Sequence, residues 1–145
     1  MTTKTVCLGS DHRGFPVKAL FIEVLKEKGF QIIDVGTFNE ERCDASDFAQ
    51  KVVLDLKENP DHLGILICGT GQVTAMTANR YRHVRAALCV DATMTRLARQ
   101  HNDANILCMG KRILPLDQVL ALLDIWLDTP FSGGERHCRR VQKMG

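Results

Sequence analysis

Six cysteines are spread along this chain, but no two of them have the CxxC spacing. The absence of that pair disfavours a zinc site. An excess of charge of one sign is also lacking, because 19 Lys and Arg residues stand against 17 Asp and Glu residues and leave a net charge of +2. A field this weak gives no reason to expect a nucleic-acid partner, and we expect a small-molecule ligand instead.

Long apolar runs are missing as well. The most apolar late segment, 119–127, is interrupted by an aspartate and is far shorter than the roughly 20 residues that a bilayer requires. The first residues lead directly into a strand-like segment, 6–9, which leaves no room for a secretory leader. We therefore expect a soluble, cytoplasmic protein without a membrane partner, in which thiols such as Cys7, Cys89 and Cys108 are reduced and buried.

Strand-like apolar segments alternate with segments of helical periodicity. The strand-like segments are 6–9, 31–35, 63–68, 85–90 and 105–109. Apolar residues at helical spacing lie between and after them, at Val17, Leu20, Phe21, Val24 and Leu25, at Ala49, Val52, Val53 and Leu56, and at Leu116, Val119, Leu120, Leu123 and Leu127. Because the strands are apolar throughout, the sequence predicts a single domain, 1–145, with a three-layer α/β/α fold around a five-stranded parallel Rossmann-like sheet.

Ligands of open parallel sheets bind beyond the carboxyl ends of the strands. That rule selects five loops, at 9–15, 36–47, 68–74, 91 and 110–112. The third loop begins Cys68-Gly69-Thr70-Gly71, where a thiol at a strand end faces amides that glycines leave uncovered. A thiol at a helix amino terminus can act as a base, and the amides can stabilise the anion that it makes. An inert core thiol is the alternative interpretation of Cys68.

The glycines of this third loop do not complete a nucleotide-binding motif. The third glycine of GxGxxG would fall at Thr74, and the loop follows the third strand of the chain. Neither a dinucleotide site nor a P-loop fits this pattern. What remains is a group of amide donors at a helix amino terminus, which suits an oxyanion or a phosphate.

Polar residues in three other places could bind or could serve only structure. Asp11, in the first loop, could contact a ligand or cap the following helix. His101 ends a helix, where a histidine often only complements the helix dipole. Arg136 and Arg140 have i, i+4 spacing near the carboxyl terminus, so they could hold a phosphate together or form a solvated face.

Five motifs follow one another along nearly the whole chain: SDHRGF at 10–15, CGTG at 68–71, QHNDAN at 100–105, GKRI at 110–113, and GG followed by RHCRRV at 133–141. In this order they resemble the ribose-5-phosphate isomerase B family, which includes allose- and galactose-6-phosphate isomerases. The resemblance implies an aldose–ketose isomerase that works on a sugar phosphate through an enediolate, without metal or cofactor. It also implies a homodimer or dimer of dimers with shared active sites, in which the carboxyl-terminal helix packs on a partner subunit.

The resemblance further implies a role for each matching residue. Cys68 would take the C2 proton and return it at C1, His101 would open the sugar ring as an acid, and Thr70 would assist at the ring oxygen. The other residues would bind substrate: Asp11 and His12 at hydroxyls or phosphate, Asn102 at the sugar, Arg112, Arg136 and Arg140 at the phosphate, and the loop Gly69, Gly71, Gln72, Val73 and Thr74 at the oxyanion. His101 and Arg136 would act across the subunit interface.

Three departures from the family pattern affect the expected site. Val73 and Ala75 stand where the family has a glycine and a serine, and a β-branched residue disfavours positive φ, so we expect a shifted loop or a slower enzyme. Ala45 replaces an aromatic residue, which suggests a roomier pocket, and Glu135 is an added acid beside the phosphate arginines. Ribose 5-phosphate is the leading substrate; a hexose or four-carbon phosphate, or binding without catalysis, stays open.

Overall fold

A computed structural model describes residues 4–145 of the chain. Its centre is one parallel sheet in the order β2-β1-β3-β5-β4, which confirms the predicted five-stranded parallel sheet. The strands are β1 Thr5–Ser10, β2 Gln31–Asp34, β3 Leu63–Cys68, β4 Ala86–Leu88 and β5 Ile106–Gly110. Strand β4 is shorter than the predicted segment 85–90, since Arg85 donates its backbone N–H to the Asn105 side chain instead of the sheet.

The described part of the chain contains six helices. They are α1 Phe15–Glu27, α2 Ala45–Glu58, α3 Gln72–Ala78, α4 Ala92–Gln100, α5 Leu116–Asp128 and α6 Glu135–Lys143. One face of the sheet packs on α1, α4 and α5, and the other packs on α2 and α3. The predicted three-layer α/β/α fold is therefore confirmed. None of the helices between residues 4 and 145 combines the length and apolarity needed to cross a membrane.

Alternate residues of each central strand enter opposite cores, which is why the strands are apolar throughout. In β3, Ile65 and Ile67 pack toward α1 and α5, whereas Leu66 packs toward α2 and α3. The predicted burial of Cys7, Cys89 and Cys108 is confirmed. Burial raises the pKa of each of these three thiols, so they stay protonated and inert at neutral pH.

The predicted apolar faces of two helices need correction. Leu20 and Val24 of α1 are only half-buried, while Lys18 is 1% exposed and packs among apolar residues. The Lys18 ammonium is tolerated there because it pairs with Asp34 and lies 5.2 Å from the centre of the Phe38 ring. In α5, Leu116 is 50% exposed at the first turn.

Because all strands run in one direction, the sheet has two chemically different edges. We call the edge where strands end, at residues such as Cys68 and Gly110, the carboxyl edge, and the opposite one the amino edge. The loop after β3 lies directly on the end of β5, since a Cβ at Gly110 would stand 2.5 Å from the Thr70 carbonyl carbon. Glycine at 110 thus permits the close approach that shapes the carboxyl edge.

Candidate active site

A cleft of about 200 Å³ opens at the carboxyl edge. It is lined by Asp11, Arg13, Ala45, Cys68, Gly69, Thr70, Val73 and Arg112. Four of the five predicted loops contribute to this lining. The fifth does not: Asp91 instead caps α4 by accepting the backbone N–H of Met94 at 2.7 Å.

The Cys68 sulfur lies at the bottom of this cleft. The backbone N–H of Gly71 donates to Sγ at 3.1 Å, and the Thr74 hydroxyl oxygen is 3.6 Å from it. Thr74 also donates its hydroxyl proton to the Gly71 carbonyl at 3.0 Å, which ties the loop to the first turn of α3. An N–H aimed at sulfur stabilises negative charge there, as a thiolate base requires. Cys108 of β5, by contrast, is fully buried and does not line the cleft.

Gly71 is the residue that makes this geometry possible. Its φ is +83°, and a Cβ there would lie 2.5 Å from Leu88 Cδ1 and 3.0 Å from the Met109 carbonyl carbon. Val73, by contrast, lies within α3, and the only non-glycine with positive φ among residues 4–145 is Asp103. Val73 therefore needs no positive φ, because the left-handed position is Gly71, while a shifted loop or a slower enzyme stays a prediction.

The amides of the third loop are not equally available to a ligand. The Gly71 N–H is directed at Cys68, and the Gln72 N–H donates to the Thr70 hydroxyl at 3.3 Å. Val73 and Thr74 lie in the first helical turn, where backbone N–H groups have no carbonyl four residues back in the helix. Of the predicted oxyanion donors, Gly69 and Val73 line the cleft, whereas Thr74 is fully buried.

The first loop supplies a carboxylate and a guanidinium. Asp11 Oδ1 accepts the backbone N–H groups of Arg13 and Gly14, each at 3.0 Å, so Asp11 stabilises the turn before α1 and lines the cleft, but it does not cap the helix. Arg13 was missed as a site residue, although it stands in the same motif. His12 is not part of the cleft lining; its Nδ1 accepts the backbone N–H of Cys43 at 3.2 Å.

Arg112 reaches the cleft from the turn after β5. Its backbone N–H donates to the Gly69 carbonyl at 2.9 Å, and the N–H of Lys111 donates to the Cys68 carbonyl at the same distance. A Cβ at Gly69 would lie 3.3 Å from Arg13 Cδ and 3.8 Å from Arg112 Cδ, so two arginine stems flank this glycine. Two guanidinium groups beside a thiol suit an anionic substrate.

The remaining predicted residues form a second group at the amino edge. His101 follows the last turn of α4, which starts after β4 ends and returns to the level where β5 begins. Its ring stacks on His137 of α6, with centroids 4.3 Å apart and planes 20° apart. Arg136 and Arg140 are exposed on α6, and Asn102 lines a separate cavity of about 510 Å³. A single chain does not bring this group to Cys68.

In the second group, the pKa of His137 is shifted by its surroundings. Its burial against the rest of the chain lowers its pKa, and nearby His101, Arg136 and Arg140 lower that pKa further. Glu135 is the exposed first residue of α6, where an acid complements the helix dipole. In the described residues, no three His, Cys, Asp or Glu side chains are grouped closely enough to hold a metal ion.

Fold and cleft together define an α/β enzyme that handles a small anionic substrate. The family described as Ribose/Galactose Isomerase matches residues 6–144. A relative from Escherichia coli (strain K12) named ribose-5-phosphate isomerase B is 38% identical over 141 residues, 97% of this chain and 94% of that protein. The chain belongs to the ribose/galactose isomerase family and is a sugar-phosphate isomerase.

Solved structures agree with this assignment. Ribose-5-phosphate isomerase B of Clostridium thermocellum superimposes with a TM-score of 0.94 at 42% identity, covering 97% of this chain and 95% of that one. The Thermotoga maritima ribose 5-phosphate isomerase gives 0.93 at 43% identity, covering 99% and 98%. The family resemblance noted in the sequence is thus confirmed over nearly the full length.

Proposed function

We propose that this protein interconverts ribose 5-phosphate and ribulose 5-phosphate through an enediolate. The observation that carries the proposal is the Cys68 sulfur, which accepts the Gly71 N–H at 3.1 Å inside a cleft flanked by Arg13 and Arg112. Base, amide donors and cations are the three components that proton transfer on a phosphorylated sugar requires. The name of the Escherichia coli relative gives the same sugar.

The first step is ring opening. His101 acts as the acid and gives a proton to the ring oxygen, where the Thr70 hydroxyl assists. The bond from C1 to the ring oxygen breaks, and the C1 hydroxyl loses its proton to water as the aldehyde forms. Asp11 supports this step by holding sugar hydroxyls with its second carboxylate oxygen, since Oδ1 is engaged by the loop.

The second step is proton transfer between carbons. The Cys68 thiolate takes the proton from C2, and the charge that develops on O1 is stabilised by the Gly69 and Val73 amides. Cys68 then returns the proton to C1 while the hydroxyl proton passes from O2 to O1, which leaves the ketone at C2. The Thr74 hydroxyl, 3.6 Å from the sulfur, helps to keep Sγ directed at the substrate.

The site is shared between two chains. Cys68 and Arg112 come from one subunit, whereas His101, Asn102, Arg136 and Arg140 come from its partner, with α6 packed against the neighbouring cleft. The support for this arrangement is that these two groups lie at opposite edges of one sheet. Arg112, Arg136 and Arg140 then hold the phosphate dianion, to which guanidinium groups bind with two hydrogen bonds each.

A hexose 6-phosphate is the second candidate substrate. Ala45 lines the cleft with a single methyl group, so the cleft has room beside the sugar that a larger side chain would fill. The reaction and the roles of Cys68 and His101 would be unchanged.

One assay separates these possibilities. Purified protein is incubated, with a chelator present, with ribose 5-phosphate, allose 6-phosphate, galactose 6-phosphate and a four-carbon aldose phosphate, and ketose formation is followed. We expect the highest kcat/KM with ribose 5-phosphate. Highest activity with a hexose phosphate would favour the second candidate, and binding of these sugars without any turnover would identify a binding protein.

A further inference from the structure

His137 is the one residue of α6 whose side chain is buried. Its imidazole stacks on His101, with a centroid distance of 4.3 Å and nearly parallel planes. Neither the cleft nor the proposed chemistry uses His137 directly. Its burial and its contacts therefore call for another explanation.

Two kinds of contact fix the His137 ring: its face stacks on His101, and its Nδ1 is hydrogen-bonded. Its Nδ1 is hydrogen-bonded to the Ser132 hydroxyl at 2.6 Å, and that hydroxyl also accepts the Gly134 N–H at 3.2 Å. Ser132 in turn donates its backbone N–H to the carbonyl of Gln100, the residue before His101, at 2.9 Å. His137 is thus linked to the His101 region twice, by the ring stack and through Ser132 to the Gln100 carbonyl.

We propose that His137 is a positioning residue that sets the plane of the His101 imidazole, so that the acid nitrogen meets the ring oxygen of a sugar held by the partner's cleft. This inference rests on the proposed function of His101. Precise placement of a proton donor matters, because a misplacement of about 1 Å can cost roughly a hundredfold in rate. Without a neighbouring ring, the His101 side chain at the end of α4 could rotate and would not hold the acid nitrogen in place.

The charge state of His137 agrees with this role. Burial lowers its pKa, as do His101, Arg136 and Arg140, so the ring stays neutral near pH 7. A neutral ring can stack beside His101 whether or not His101 carries the proton, because no like charge opposes it. A second imidazolium in this place would repel the first.

The test uses three variants of the full-length protein. His137→Leu removes the flat ring and the Nδ1 contact, His137→Phe keeps a flat ring, and Ser132→Ala releases the ring without altering it. Cys138→Ser, at the exposed neighbour on α6, is the matched control. Two reactions are followed: turnover of ribose 5-phosphate, and deuterium uptake from solvent at C1 of ribulose 5-phosphate, an open-chain sugar that needs no ring opening.

For His137→Leu we expect kcat on ribose 5-phosphate to fall roughly tenfold to a hundredfold with KM within about twofold, while deuterium uptake is unchanged. In Ser132→Ala the kcat on ribose 5-phosphate should also fall, but by a smaller factor. His137→Phe should keep most of the wild-type turnover. Equal loss of both reactions, or no loss in His137→Leu and Ser132→Ala, would overturn the proposal.

Two further outcomes separate this proposal from the proposed function. If the wild-type protein shows neither reaction, the proposed function fails and the role of His137 with it. Independently of activity, the ring protons of His101 should lose the ring-current shift of the stacked neighbour in His137→Leu but keep it in His137→Phe. Unmoved His101 resonances in His137→Leu would show that no stack exists to position the acid.

Discussion

Cys68 and His101 lie at opposite edges of the same sheet. Cys68 is the last residue of β3 and pairs with Gly110, whereas His101 precedes Ile106, which pairs with Gly64 at the other end. The strand between these two levels alone spans roughly 13 Å. A base and an acid that act on neighbouring atoms of one sugar cannot both come from one chain at this separation.

The first prediction concerns complementation between two inactive chains. Cys68→Ala and His101→Ala, each expected to be inactive alone on ribose 5-phosphate, should regain activity when the two chains are co-expressed. A mixed dimer then has one intact site, so random pairing gives about a quarter of the wild-type sites. Turnover per chain of the co-purified mixture is the measurement.

The control for complementation is a Cys68→Ala, His101→Ala double variant co-expressed with a Cys68→Ala chain, which provides no intact pair. Activity in that mixture would reveal contaminating host enzyme. An inactive mixture of the two single variants, with mixed dimers verified by mass, would show that the two residues do not share a site across subunits.

The second prediction concerns Gly71. Gly71→Ala should lower the free energy of unfolding by about 3 kcal/mol, because positive φ and contact with the Met109 backbone both oppose a Cβ. Gly29→Ala is the matched control, since Gly29 also has positive φ (+89°) but has nothing within 4 Å of a Cβ. That control should lose only about 1 kcal/mol in urea denaturation. Equal losses would show that the loop can yield around residue 71.

Much of the fold follows from the sequence because each strand is apolar on both faces and each gap has helical spacing. Ala49, Val52, Val53 and Leu56 show this best, as all four predicted core residues of α2 are buried. Lys18 could not be predicted, because its burial depends on Asp34 and Phe38, which come from another part of the chain. Helical periodicity scores only the residue type and therefore left Lys18 out of the predicted apolar face.

The candidate site was predictable as a set of residues but not as an arrangement. Motifs identified Cys68 and His101, yet only the path of α4 back to the amino edge shows how far apart they lie. Arg13 was not predicted as a site residue, because only its neighbours Asp11 and His12 were given roles. It does lie in the loop 9–15 that the sequence selected after β1. The His137 stack depends on where α6 folds back, which no local pattern encodes.

The third prediction concerns the phosphate arginines. Arg136→Ala should raise KM for ribose 5-phosphate about tenfold or more with little change in kcat, since a charge-assisted pair contributes about 1.5–3 kcal/mol. Arg96→Ala removes an exposed arginine from α4 and serves as the control. Steady-state kinetics at constant ionic strength provide the measurement. An unchanged KM in Arg136→Ala would remove this residue from the phosphate site.

The fourth prediction concerns stability in acid. The folded state lowers the pKa of His137, so below the ordinary histidine pKa of about 6.5 the unfolded chain binds a proton that the folded chain resists. The free energy of unfolding should therefore fall as pH drops from 7 toward 5, and His137→Phe should remove part of that fall. Urea midpoints at both pH values measure it. Identical pH dependence in both proteins would contradict the shift.

The base assignment of Cys68 is tested most directly by deuterium uptake at C1 of ribulose 5-phosphate in Cys68→Ala, with Cys108→Ala as the matched thiol control and binding of the sugar measured in parallel. The account predicts that Cys68→Ala binds the sugar within about threefold of wild type but takes up no deuterium, whereas Cys108→Ala exchanges normally. Continued exchange in Cys68→Ala would show that another group moves the proton.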